Sequence, residues 1–267
     1  MKKLFLNGPN LFAHAENRMA DEGNLEEARS NFQLRRFRNL DRLLRHRYDW
    51  MNAYLGPDKK AIEIGAGAGF SKFYLKHEYL VTDVAENDWI DDLIDATDMP
   101  LEDGSVDVII ASHNIHHFAY PTKFFRECER VLKRGGVVLI QEINTSLVMR
   151  LLLRVMRHEG WSYDVDVFDD TVVANDPSDP WSANCAIPEL LFEKEDKFHS
   201  EFPGLKISVN EKNECLLFPL SGGVIAKTRV PELPSGVLEA VSALDSVLTK
   251  LAPDVFALGR SVVIEKI

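Results

Sequence analysis

The chain has 267 residues, 45% of them apolar and 27% charged, which suits one large globular domain or one domain with an insertion. Its net charge of −11 opposes a nucleic-acid partner, because a phosphate backbone demands a basic face. Three widely separated cysteines, Cys128, Cys185 and Cys215, argue against a disulfide framework or a zinc site and suit a reducing cytoplasm.

The opening M-K-K-L-F-L-N-G-P-N has an apolar run of only Leu4–Leu6, too short for a secretory leader or a membrane span. Residues 1–28 read as an irregular or partly helical arm. From Ser30 to Leu55, Phe32, Leu34, Phe37, Leu40, Leu43, Leu44, Tyr48, Met51 and Leu55 follow helical spacing until Gly56-Pro57 ends it. Arg35–Arg47 carries six arginines against Asp41, whereas Glu86–Asp103 holds eight acids and no base. The plain reading is two solvated faces of opposite sign; the other is a basic helix beside a cleft for an anionic substrate.

Alternating units follow. Ala61–Ile64 is predicted as a strand, Ser71–Lys76 as a helix behind a glycine-rich turn, and Tyr79–Val84, Asp92–Asp95 and Val106–Ser112 as strands. Pro121–Leu132 reads as a helix with Phe124, Phe125, Cys128, Val131 and Leu132 on one side, closed by Arg134-Gly135-Gly136. Val137–Gln141 then reads as a strand buried on both faces. This alternation predicts an α/β fold with a doubly wound, mostly parallel sheet, one crossover being too short for a full helix.

Next, Leu147–Met156 is apolar with Arg150, Arg154 and Arg157 on one face. Residues 161–181 read as an ordered lid, with Trp161, Tyr163, Phe168 and Trp181 as pocket walls. The acids Asp164, Asp166, Asp169 and Asp170 lack the spacing of a calcium loop, and no metal is expected. Pro188–His199 predicts a helix, and Lys206–Val209 and Cys215–Leu220 predict strands. Ser235 is expected to cap a helix to Leu251, buried through Leu238, Val241, Leu244, Val247 and Leu248. Val255–Glu265 is the last predicted strand.

Gly65, Gly67 and Gly69 stand two apart after the first strand, a device that brings backbone N–H groups close to a ligand. They do not complete the dinucleotide fingerprint G-x-G-x-x-G, whose sixth position here is Phe70. Glu63 beside the turn sits poorly with a pyrophosphate and suits a ligand with an amino group. Asp83 ends the second strand, where an acid accepts from a ribose diol. Asp95, after the third, could accept from the amine of adenine.

These blocks together resemble the class I S-adenosylmethionine-dependent methyltransferases. The match runs through E-I-G-A-G-A-G, D-A-T-D-M-P-L-E-D-G-S-V-D-V-I-I-A-S-H-N-I-H-H-F and E-R-V-L-K-R-G-G-V-V-L-I-Q-E, about residues 60–145. The resemblance implies a seven-stranded Rossmann-like sheet of order 3-2-1-4-5-7-6 with the seventh strand antiparallel, and S-adenosylmethionine as cofactor. It places Glu63, Gly65, Ala66, Gly67 and Gly69 at the methionine part, Asp83 at the ribose, and Asp95 and Ala96 at the adenine. Ser112 and His113 would line the cofactor.

In such a sheet the ligand crevice lies beyond the carboxyl ends of the first and fourth strands. That puts Ser112–Phe118, with His113, His116 and His117, at the reaction centre. Methyl transfer from a sulfonium needs alignment, and a hydroxyl acceptor also needs a base. The expected base is His116 or His117, oriented by Glu142; the opposing reading packs His117 structurally at the start of the next helix.

The expected protein is a cytoplasmic methyltransferase acting on a small molecule or glycan, at oxygen rather than nitrogen. Its expected parts are a helical cap 1–56, a cofactor-binding core 57–145, an acceptor-side insertion 146–204, and last strands with a helix 205–267. The segments F-P-L-S-G-G and F-A-L-G-R-S-V-V-I-E-K are similar to those of methyltransferases from bacterial polysaccharide clusters, which suggests a sugar or lipid-linked glycan. Alternatives are N-methylation of a small amine, an inactive cofactor-binding assembly partner, and a nicotinamide oxidoreductase. Leu147–Arg157 is preferred as a lid helix over a membrane-surface helix.

Overall fold

The computed structural model describes residues 23–156, 159–179, 181–225 and 228–267; the expectations for residues 1–22 and for Arg157 lie outside them. The strands are β1 (Ala61–Ile64), β2 (Leu80–Asp83), β3 (Asp92–Leu93), β4 (Val106–Ser112), β5 (Leu132–Ile143), β6 (Leu205–Asn213) and β7 (Gly259–Lys266). They form one 7-stranded sheet of order β3-β2-β1-β4-β5-β7-β6. Strands β1 to β5 pair in parallel, and β7 runs antiparallel to both β5 and β6. Fold class and strand order are those expected.

Each face of the sheet carries its own core, because successive strand side chains point to opposite sides. In β4, Val106, Ile109 and Ala111 join one cluster, while Val108 and Ile110 join the other. The first cluster packs under α3 (Pro121–Val131) and the later helices α5 (Ile187–Phe192) and α6 (Glu195–Glu201). The second packs under the N-terminal helices α1 (Leu25–Arg35) and α2 (Arg38–Tyr48), with Phe32, Leu43, Leu44 and Met51 buried. Helix α4 (Leu147–Met156) follows β5 and adds Met149 and Leu153 to the first cluster. The remaining helices are α7 (Leu217–Ser221), α8 (Ser235–Leu251) and α9 (Pro253–Phe256).

Several elements depart from their predicted form. The Ser30–Leu55 pattern breaks into two helices where Arg36 turns left-handed (φ 45°) and returns its N–H to the Phe32 carbonyl. The glycine turn leads into a single 3₁₀ turn, Phe70–Phe73, whose rings pack on Phe32. Pro188–His199 is divided between α5 and α6, and Arg134-Gly135-Gly136 lies within β5. Cys215–Leu220 is not a strand but largely α7. Buried Asp245 of α8 accepts the backbone N–H groups of Cys215, Leu216 and Leu217, supplying the start of α7 with a cap from distant sequence. Ser235 does not cap α8: the flanking residue is Pro234, without a side-chain bond. That helix buries Leu238, Asp245 and Thr249 and leaves Leu244 and Val247 exposed.

The basic run is largely paired within the molecule. Arg36 and Arg45 meet Asp41, Arg38 meets Glu232, Arg42 meets Glu239 and Arg47 meets Glu214. Arg126 and Lys197 likewise bind Asp170 and Asp166 of the predicted lid. No described helix is long and apolar enough to cross a membrane.

Candidate active site

The cavity begins at the end of β1. Gly65, Gly67 and Gly69 all take positive φ (61°, 53° and 61°), a conformation that a side chain resists. The Ala66 N–H reaches the Thr82 carbonyl at 3.0 Å, and the Gly67 N–H reaches Asp83 Oδ2 at 2.8 Å, tying the turn to β2. A Cβ on Gly65 would lie 2.7 Å from Asn114 Nδ2. Asn114 gives that amide to the Ile64 carbonyl and keeps Oδ1 buried without a partner among the described residues. Over the turn, Trp89 Nε1 donates to the Gly67 carbonyl at 2.8 Å, and Arg29 of α1 donates to the carbonyls of Ala68 and Gly69.

Glu63 lies behind this turn rather than in the cavity. It is buried and accepts from Ser71 Oγ, which in turn accepts from Tyr79. Burial, aided by the charge of Asp83, pushes its pKa up to about 8 against the Ser71 hydrogen bond. Asp95 folds back on Thr97 in an exposed turn, and Ala96 is buried after β3. Gly65, Ala66, Gly67, Ser112 and His113 share the cavity wall. Glu63, Gly69, Asp83, Asp95 and Ala96 stand behind or beside it.

The other end is built from β4, β5 and the segment after α4. His113 also adopts positive φ (55°), rare for a side chain with a Cβ, and donates its N–H to the Gln141 carbonyl. Burial and the charge of Arg47 hold its imidazole well below the ordinary range. A 3₁₀ turn, Ile115–His117, then points two rings into the cavity. Glu142 does pair with one of them: its Oε2 meets Nδ1 of His116 at 2.6 Å. It also accepts the N–H groups of Ile115 and Ile143. His117 instead gives Nδ1–H to the Ser182 carbonyl at 3.0 Å.

Glu159 completes this end, with Oε1 3.8 Å from His116 Nε2 and 4.0 Å from His117 Nε2. Burial opposes charge on His116, yet the two carboxylates outweigh it and push its pKa up to about 10. Burial and the neighbouring His116 charge lower His117 to about 4. His116 is therefore held as an imidazolium and His117 as a neutral ring.

Sequence reasoning missed Glu159, since no motif spacing marks the run R-H-E-G-W. It placed a basic helix beside a cleft as one reading but singled out neither Arg47 nor Tyr48, which α2 contributes to the same wall as Leu44. Arg47 is fixed by a buried two-pronged bond to Glu214 at 2.8 and 2.7 Å. Of the four aromatics expected as pocket walls, Trp181 lines the cavity. Trp161 and Phe168 are core residues instead, and Tyr163 bonds Thr145 and Glu189. The remaining wall is chiefly apolar: Ile143, Met149, Leu153, Met156, Phe218 and Leu258.

A family model described as a methyltransferase domain matches residues 62–140, from β1 into β5. The core of the chain is thus similar to a methyltransferase domain. Over 106 residues the chain is 29% identical to sarcosine/dimethylglycine N-methyltransferase of Halorhodospira halochloris, a match covering 32% of this chain and 38% of that protein. The chain thus spans well under half of that relative's length. Two solved structures share the fold. One is a SAM-dependent methyltransferase from Archaeoglobus fulgidus (TM-score 0.51, 19% identity, 89% of this chain and 99% of that one). The other is described as a possible histamine N-methyltransferase from Thermotoga maritima (TM-score 0.51, 17% identity, 90% and 95%).

The cofactor of this domain class is S-adenosylmethionine, and the turn fits it. Gly65, Ala66 and Gly67 present backbone to the cavity, a Cβ at Gly65 would displace Asn114, and Asn114 Oδ1, buried without a partner among the described residues, is an acceptor beside the turn. Asp83, at the end of β2, already holds the turn through Gly67 and Ala85, so a ribose hydroxyl would share its carboxylate.

Proposed function

We propose that the chain is an S-adenosylmethionine-dependent methyltransferase for a small acceptor with an apolar body and one reactive hydroxyl. The observation that carries this reading is the cavity itself: a glycine cradle at one end, a His–His–Glu cluster at the other, apolar walls between. When bound, the cofactor supplies a methyl group on a positively charged sulfur. The protein contributes alignment, exclusion of water, and a place for the proton. A hydroxyl acceptor must give up its proton when it is methylated, and Nε2 of His117, the neutral ring, would take it. His116, charged between Glu142 and Glu159, positions that ring and the acceptor.

Apolar walls favour a hydrocarbon body over a bare glycan, and a lipid-linked sugar would satisfy both ends. N-methylation is the second reading, supported by the similarity to N-methyltransferases and by Glu159, which would attract a cationic amine. A role in polysaccharide synthesis and a cytoplasmic location remain part of this proposal.

The test is calorimetric titration with S-adenosylmethionine, followed by labelled-methyl transfer into fractionated cell extract with mass spectrometry of the product. Binding with an O-methylated product supports the reading. An N-methylated product transfers it to amines, binding without product favours an inactive assembly partner, and failure to bind removes it.

A further inference from the structure

We propose that His116, His117 and Glu159 form a binding site for one divalent first-row transition ion, with zinc the best fit. The two rings are presented alike. A carbonyl oxygen only accepts, so the bond to Ser182 places a hydrogen on Nδ1 of His117. The Glu142 carboxylate already receives the N–H groups of Ile115 and Ile143, so it too accepts from Nδ1 of His116. Each Nε2 is thereby turned toward Glu159. One ligand atom from each of the three residues lies within 4.8 Å of the others. Cys185 Sγ donates to Glu159 Oε2 at 3.2 Å, while Oε1 is the oxygen nearer the rings. Fixing the far nitrogen of an imidazole by a carboxylate or a carbonyl is how metal-ligating histidines are oriented and made more basic.

The distances fit a site that tightens on loading. Zinc–ligand bonds of about 2.0–2.2 Å place tetrahedral neighbours roughly 3.3 Å apart. The observed 3.8 and 4.0 Å edges need a contraction within the reach of a glutamate side chain, and the edge between the two rings, at most 4.8 Å, needs the rings to turn. Two imidazoles and a carboxylate suit zinc and its neighbours better than magnesium or calcium, which prefer oxygen shells. Three protein ligands leave a fourth position, and all three residues line the cavity, so that position opens on the acceptor. There an ion would occupy Nε2 of both rings, so in the loaded chain it, and not His117, would hold an acceptor hydroxyl as its anion near neutral pH, the proton leaving to solvent. This catalytic role rests on the acceptor end proposed above, whereas ion binding does not.

The full chain, stripped with a chelator, is titrated with Zn²⁺ against a coloured competitor and loaded with Co²⁺ for absorption spectroscopy. Expected are one zinc per chain and the visible bands of low-coordinate cobalt. Outer-shell partners are worth about 10–100-fold in affinity, so loss of a ligand in His117→Gln or Glu159→Gln should lower zinc affinity by at least about 100-fold, while Asp170→Asn, at an exposed pair with Arg126, leaves it unchanged. His116 is packed against Glu142 and its variants could unfold, so the cobalt spectrum of the parent protein and His117→Gln carry the decision. No stoichiometric binding, or the same affinity in both variants, overturns the site. A parallel titration of the metal-free chain with S-adenosylmethionine separates the two proposals. Cofactor binding without zinc binding removes only the metal site; zinc binding without cofactor binding removes the methyltransferase reading.

Discussion

The two ends of the cavity are built in different ways. At the glycine turn the groups facing the ligand are backbone, and side chains work from behind: Glu63 below through Ser71, Trp89 and Arg29 above. At the histidine end the facing groups are ionisable side chains, drawn from the turn after β4, from β5 and from the segment after α4. A backbone cradle depends on conformation and close approach. A charged cluster depends on every partner being present, because removing one leaves another buried and unpaired. The first should fail at glycines, the second at its orienting acid.

The largest effect is expected at Glu142. Replacing it by Ala removes the acceptor of His116 and of two backbone N–H groups in a fully buried site. Urea unfolding at pH 7 should show a loss of about 3–5 kcal/mol, with a smaller loss for Glu142→Gln. A loss under about 1 kcal/mol would mean that the histidine end does not depend on its charges.

Glu63 tests whether charge matters behind the cradle as well. Its folded pKa of about 8 exceeds the ordinary 4.5. The folded chain therefore keeps a proton that the unfolded chain gives up. Its stabilising contribution is complete below the unfolded pKa, declines between about pH 4.5 and 8, and stays flat above. The Glu63 contribution should fall over that window by up to a few kcal/mol, read as the difference between the curves of the parent and of Glu63→Gln, to which the histidines contribute alike. Parallel pH–stability curves for the two proteins would exclude a protonated Glu63.

The same contrast decides what was legible in the sequence. The glycine spacing, the order of β1 to β5 and the histidine run are local patterns, and each stands where its spacing put it. Glu142 was legible because β5 neighbours β4 in any such sheet. Glu159 was not, since its position follows from how the chain returns after α4, which no periodicity encodes. α7 read as a strand because its cap, Asp245, lies about thirty residues away on α8. Helix α8 read as more buried than it is because apolar spacing does not show how much of a face is covered.

A smaller effect is expected in the cradle. Gly65→Ala places a Cβ 2.7 Å from Asn114 Nδ2 at φ 61°, so Asn114 must move and a left-handed alanine costs about 1–2 kcal/mol. Affinity for S-adenosylmethionine should fall about tenfold or more. Gly135→Ala is the control: φ is 77° there, with nothing within 4 Å of the added Cβ. It should carry the conformational cost alone and leave cofactor affinity unchanged. Equal effects at both positions would show that close approach to Asn114 is irrelevant and that only backbone strain matters.

The smallest effect is expected at Arg29, where α1 meets the cradle. Its guanidinium lies over the rings of Phe73 and Trp89, at 4.9 and 5.0 Å, and donates to the Ala68 and Gly69 carbonyls. Arg29→Ala leaves those carbonyls to water and loosens the turn without touching the cavity floor. Cofactor affinity should drop about threefold to tenfold, roughly 1 kcal/mol, with turnover at saturating cofactor unchanged. Arg29→Lys should recover little, since an ammonium lacks the planar fork that both bonds two carbonyls and stacks between two rings. If turnover falls while affinity holds, α1 serves the acceptor end, and the division between a backbone-built donor site and a charge-built acceptor site must be redrawn at this helix.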